Sequence, residues 1–141
     1  MPKNDDRTIL DDHGLLRRVP ANPDMSKFDY NLGQTRPTSV AFRDRNGSRE
    51  LSITLEHDLI AGGGQHSEAL EPDQADAGLV RLRANFVRNH LSQPQSLCRE
   101  PTDLDPHHGL VCGDKSRRDL KDMARNCEVV LPLAGEGEAQ E

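Results

Sequence analysis

Aromatic side chains are almost missing from this chain of 141 residues: there is no tryptophan, Tyr30 is the single tyrosine, and Phe28, Phe42 and Phe86 complete the set. A buried aromatic ring removes on the order of 150–250 Å² from water, so a core built here has few large contributors. Leu, Ile, Val and Phe together supply only thirty residues, just above the roughly 20% below which chains tend to stay disordered. That apolar surface has to offset about 1–2 kcal/mol of backbone entropy per ordered residue, so a thin core leaning on a partner or a second copy is expected. No apolar run approaches the roughly 18 residues that cross a bilayer, and the opening MPKNDDRTILDDHG has no apolar middle of a secretory signal. A cytoplasmic protein without a membrane segment is expected.

Cysteine is scarce and odd in number: Cys98, Cys112 and Cys127 cannot all pair within one chain, and no C-x-x-C is present. This pattern fits a reducing compartment without a disulfide framework. Positive charge is also in deficit, with a net charge of -6, which argues against sequence-independent nucleic-acid binding as the main activity. No cofactor-binding motif appears, so no cofactor is expected.

What is present fits a single domain. Residues 1–13 read as a polar, flexible N-terminal tail, 14–133 as the domain, and 134–141, rich in Gly and Glu, as an acidic flexible tail. LLRRV (15–19) reads as a short strand halted by Pro20, followed by a long polar connection from Ala21 to Pro37. TSVAFRDRNGSRELSITLEHD reads as a hairpin about Asn46-Gly47, a pair suited to the positive φ angles of a tight turn. Leu51, Ile53 and Leu55 alternate with Ser52, Thr54 and Glu56, predicting one buried and one wet face.

The stretch from Leu59 to Gly78 reads as a loop around Gly62–Gly64 after a helical turn, a slack connection ahead of a lid. Gly78 to Leu91 admits either one helix or a strand turning into a short helix. Residues 92–106 form a loop with three prolines. HGLVC then reads as a strand, Gly113-Asp114 as a turn, KSRRDLKDMARNC as a helix and Glu128 to Leu131 as a closing strand. Ser116 and Asp119 have capping-box spacing, and Leu120, Met123, Ala124 and Cys127 share a helix face. The irregular interleaving predicts an α+β fold, a small mixed or antiparallel sheet with two or three short helices and disordered termini.

The richest chemistry lies in PHHGLVCGDKSRRDL, residues 106–120. His107, His108, Cys112 and Cys127, with Cys98, are the best set for zinc, but residues four apart on a strand lie roughly 13 Å apart, so no metal site is expected and buried cysteines are the simpler reading. A cysteine nucleophile with His107 or His108 as base lacks any surrounding signature. The start of the basic helix could hold an anion through Lys115, Ser116, Arg117 and Arg118, yet the full G-x-x-x-x-G-K-[ST] pattern is missing and Asp114 would repel the anion. Helix capping with solvated cations is the plainer reading.

Between Lys115 and Arg125 there are five cations and two acids, and Arg81, Arg83 and Arg88 form an acid-free run, with Arg17, Arg18 and Arg36 besides. On one face these would make a basic surface inside an acidic protein, fit for an acidic protein, a nucleotide or a nucleic acid. In the order LLRRV, RPTSVAF, LSITLEHDL, GLVRLRANFVR and HHGLVCGDKS, the chain resembles a group of small uncharacterised bacterial proteins. The glycine-rich AGGGQHS departs from that pattern. The resemblance implies a bacterial cytosolic protein, from a mobile-element or defence-associated gene set, and marks His108 rather than His107.

The leading expectation is an accessory module of a multi-component system, docking on a larger protein partner or on a homo-oligomer. Contact would run through Arg36, Phe42 and the basic helix, with Arg81, Arg88, Lys115, Ser116, Arg117 and Arg118 as further anion or partner contacts. The runner-up is a phosphate-ligand protein or hydrolase, with His108 as acid or base and Lys115, Arg117 and Arg36 neutralising phosphate.

Overall fold

A computed structural model describes residues 5–21, 24–44, 48–70 and 77–133. The Asn46-Gly47 turn and the acidic segment 134–141 lie outside the described residues. The fold is α+β. Among the described residues eight strands, β1 (Gly14–Val19), β2 (Ser26–Asp29), β3 (Gln34–Pro37), β4 (Glu50–Leu55), β5 (Gly78–Arg83), β6 (Ser96–Arg99), β7 (His108–Cys112) and β8 (Glu128–Leu131), accompany three α-helices, α1 (Glu56–Ala61), α2 (Ala84–Asn89) and α3 (Arg117–Asn126). Six strands form one antiparallel sheet in the order β6-β7-β4-β1-β5-β8, and β2 and β3 form a separate hairpin.

Period-two patterning sets the sheet. Leu15 and Val19 of β1, Leu51, Ile53 and Leu55 of β4, Val80 and Leu82 of β5, Leu97 of β6 and Val111 of β7 join one buried cluster with Phe42, Val87 and Met123. Leu16 and Leu79, pointing the other way, pack with Leu59 and Ala69. The second face of β4 is therefore not uniformly wet, since Thr54 is buried.

The strand-then-helix reading of 78–91 holds, as β5 runs directly into α2. Three expectations are corrected. Thr38 to Phe42 is not the first arm of a hairpin: Ser39–Phe42 is a 3-10 turn, and β4 pairs with β1 and β7 instead. The physical reason is that the consecutive residues Ala41 and Phe42 are both buried, which a strand with one wet face cannot arrange. The polar connection 21–37 contains the β2–β3 hairpin, with Gly33 at φ +68 in its turn. The proline-containing loop 92–106 contains β6, which pairs with β7 from Ser96↔Cys112 to Arg99↔Gly109.

The described part of the expected N-terminal tail is docked. Ile9 is fully buried, the Asp6 backbone N–H donates to the Leu97 carbonyl at 2.7 Å, and the Asp5 carboxylate accepts from the Leu97 N–H at 2.8 Å. These bonds cover the outer edge of β6. Arg88, only 5% exposed, holds the segment from inside by donating to Asp5 (3.2 Å), Asp11 (3.0 Å) and the Asp6 carbonyl (2.8 Å).

Removing the enclosed Arg88 cation leaves the largely enclosed Asp5 carboxylate and the Asp6 carbonyl without their donor, while the exposed Asp11 returns to water. Arg88→Met is expected to lower the unfolding free energy by about 3 kcal/mol in denaturant titration. Arg118→Met, at an exposed helix position, is expected to change it by less than about 0.5 kcal/mol.

Candidate functional site

The cations that the sequence suggests for a basic face divide into two groups. The Lys115 side chain is 1% exposed and donates to Asp44 (2.7 Å), the Val111 carbonyl (3.1 Å) and the Gly113 carbonyl (3.0 Å). Arg88 is enclosed as described, and Arg81 pairs with Glu56 through Nε at 2.7 Å. Arg36 reaches the far end of α3, donating to the carbonyls of Ala124 (3.2 Å), Arg125 (3.3 Å) and Cys127 (2.8 Å). Those are carbonyls that a helix end leaves without intrahelical partners, and a cation there complements the helix dipole. Arg36, Lys115, Arg81 and Arg88 thus serve the interior. Arg117 and Arg118 remain exposed, and so do Lys121 and Arg125 on the same helix.

The anion corner at the start of α3 is already filled from within. Ser116 Oγ accepts from the Asp119 N–H at 3.1 Å, and Asp119 accepts in return from the Ser116 N–H at 3.2 Å. The other Asp119 oxygen accepts from Ser92 N–H and Oγ, both at 2.8 Å. Burial pulls the Asp119 carboxyl up, and the bonds from Ser92 and Ser116 outweigh it, leaving the group below its ordinary value. An internal carboxylate sits where an external phosphate would bind.

His108 opens β7, half-buried, with Nδ1 2.9 Å from the Glu100 carbonyl. A carbonyl only accepts, so Nδ1 is the donor in this bond. The recess beside His108, lined by Leu16, Arg18, Ser52, Thr54 and Asp105, holds about 20 Å³, room for about one water molecule. Lys115 and Arg36 do not share it: one sits at the start of α3, the other at its end, and a ten-residue helix is roughly 15 Å long. The zinc set is not assembled either. Cys127 lies against Arg36, and burial pushes its thiol up to about 11, which also removes it as a nucleophile. Among the described residues no three His, Cys, Asp or Glu side chains converge on a metal position.

Phe42 is fully buried and offers nothing to a partner. Exposed apolar side chains lie elsewhere: Leu10, Ile60 and Leu104 are scattered singly, while Tyr30, 84% exposed, and Leu32, 62% exposed, share the β2–β3 hairpin, where Phe28 and Tyr30 meet edge-to-face at 4.8 Å. A cleft of about 420 Å³ runs along Lys27, Phe28, Asp29, Tyr30, Asn31, Arg36, Pro37 and Thr38. The long polar stretch 21–37 hid this feature, although alternating Phe28, Tyr30 and Leu32 ahead of Gly33 were its visible signal.

A second unforeseen cluster sits where β4 enters α1. Glu56 accepts from Arg81 and lies 2.6 Å from His66 Nε2, while His57 stacks on His13 with ring centroids 4.1 Å apart. Asp58 pairs with Arg99 at 2.8 Å. A Cβ at Gly14 would overlap the Glu56 carboxylate, so glycine there admits the acid to the sheet. Burial raises the Glu56 pKa, but the hydrogen bonds and charges of Arg81 and His66 bring it below its ordinary 4.5. Desolvation and the neighbouring His57 lower His13, whose Nδ1 accepts the Leu10 N–H at 3.2 Å.

Comparison with protein-family models, curated proteins and solved structures returned no match.

Both shifts run in the same sense. The unfolded chain takes up a proton at each group before the folded one does, so the stability each contributes is present above the unfolded pKa and lost as pH falls through the folded one. Glu56→Gln is therefore expected to lower the melting temperature at pH 7, with the gap to the parent chain closing in acid below pH 4.5. The His13 ring proton resonances are expected to titrate below 6.5 in NMR spectra.

Proposed function

We propose that this chain is a docking module that seats the β2–β3 hairpin and the exposed side of α3 on an acidic face of a larger protein. The observation that carries this reading is the Arg36 clamp. By bonding three carbonyls at the end of α3, it fixes the hairpin beside that end of the helix; on this reading the apolar Tyr30 and Leu32 and the cations Arg117, Lys121 and Arg125 act as one bearing surface. Positions 117, 121 and 125 recur at four-residue spacing on one helix side. An apolar anchor flanked by cations is the composition of a recognition surface whose rim steers an acidic partner.

Protein is favoured over nucleic acid on two grounds. The net charge of -6 repels a long polyanion everywhere beyond this surface. Phe28 and Tyr30 turn edge to face toward one another rather than offering parallel platforms for bases. A bacterial mobile-element or defence-associated origin, which the sequence resemblance implies, agrees with an accessory module of a multi-component system.

A photo-crosslinking residue in place of Tyr30 tests the proposal in the source cells. The expected result is a defined protein adduct that Arg117→Glu with Lys121→Glu abolishes, while a crosslinker in place of the exposed Leu104 gives none. Adducts to nucleic acid instead, or a protein adduct indifferent to the charge reversals, would overturn the reading.

A further inference from the structure

Cys98 and Cys112 are both reduced thiols, and their sulfurs lie 3.8 Å apart across β6 and β7. In the ladder Cys98 faces Leu110 and Cys112 faces Ser96, so the two cysteines are diagonal neighbours on the same side of the sheet, opposite to Leu97 and Val111. From this geometry we propose that the pair is a dithiol site for a soft, thiophilic cation of the monovalent copper class.

Separation decides between the two reactions open to such a pair. A disulfide requires the sulfurs to close from 3.8 Å to about 2.05 Å with the Cα atoms no more than about 6.8 Å apart. Diagonal neighbours on antiparallel strands lie about 7–8 Å apart, so closing the bond draws the strands themselves together. That movement is resisted, because β6 is held on one side by its register with β7 and on the other by the Asp5 and Asp6 bonds to Leu97. A bridging ion needs no such movement. Two metal–sulfur bonds of about 2.3 Å span about 3.8 Å when they meet near the tetrahedral angle and about 4.6 Å when they are collinear, the arrangement that two-coordinate monovalent copper favours, and that opening needs only side-chain rotation.

The donor set decides the ion. Both donors are sulfur, and among the described residues no third His, Cys, Asp or Glu joins them. Zinc in a structural site takes four protein ligands, and magnesium and calcium take oxygen. Monovalent copper is selected by soft thiolate donors, and two of them suffice for it. Access is provided by Cys98, which is partly exposed, while Cys112 beneath it is buried. On binding, each thiol gives up its proton to solvent and each sulfur donates an electron pair to the cation, so one copper ion replaces two protons with no change of oxidation state.

The test uses the whole chain under anaerobic, reducing conditions, with monovalent copper and a chromophoric copper chelator as competitor. The expected result is one copper withdrawn from the chelator per chain, unchanged in Cys127→Ser and lost in both Cys98→Ser and Cys112→Ser, with folding checked by circular dichroism. Should either serine variant unfold, iodoacetamide mapping of the parent chain decides: copper is expected to shield Cys98 and Cys112 from alkylation. Copper uptake that survives both serine variants, or a reduced parent chain that takes no copper and only forms a Cys98–Cys112 disulfide under peroxide, would overturn the assignment.

Discussion

The Arg88 guanidinium shows the constraint under which the whole molecule is built. With Phe42 the only fully buried aromatic residue, apolar contact between segments is limited, and enclosed charged groups connect pieces that hydrophobic surface alone would hold weakly. Arg88 ties the N-terminal segment to α2. Lys115 ties the end of β7 to Asp44, Asp119 ties the start of α3 to Ser92, Arg36 ties the hairpin to the end of α3, and Arg17 bonds the carbonyls of Ala41 and Ser52. Each has charge-assisted bonds to fixed acceptors, the condition under which enclosing an ion is tolerable.

This use of charge shapes function as much as stability. Cations that join segments are withdrawn from any ligand, and in the proposed reading a partner meets the outer side of α3 and the hairpin beside it. The same bonds make that remainder stiff. A hairpin fixed by Arg36 presents Tyr30 and Leu32 in a set position, and preorganisation of that kind reduces the ordering cost of association. The thiol pair on β6 and β7 depends on the same scaffold, because the edge strand that carries Cys98 is held by the Asp5 and Asp6 bonds that Arg88 supports.

Much of the secondary structure was legible in the sequence. LLRRV and HGLVC stand as strands, 117–126 as a capped helix and 128–131 as the closing strand, because each has a clean period or a cap with a local mechanism. The hairpin at 26–37 was not legible, since its alternating aromatic positions lie among turn-forming residues and pack on one another rather than on the main core. β6 was obscured by flanking prolines that lie outside its ladder. The imidazole and carboxylate cluster was invisible for another reason: His13, Glu56 and His66 are brought together by the pairing of β1 with β4 and by the turn after α1.

By itself the sequence determined the α+β class, the buried alternation of Leu51, Ile53 and Leu55, and the Ser116–Asp119 cap, all of which follow from periodicity and near-neighbour chemistry. Only the tertiary structure decided which charges face solvent. A charge count along the chain cannot distinguish Arg117, exposed on α3, from Lys115 two residues earlier, sealed against Asp44. A long cationic side chain can turn toward either water or the interior, and the acceptors that settle its direction come from distant segments.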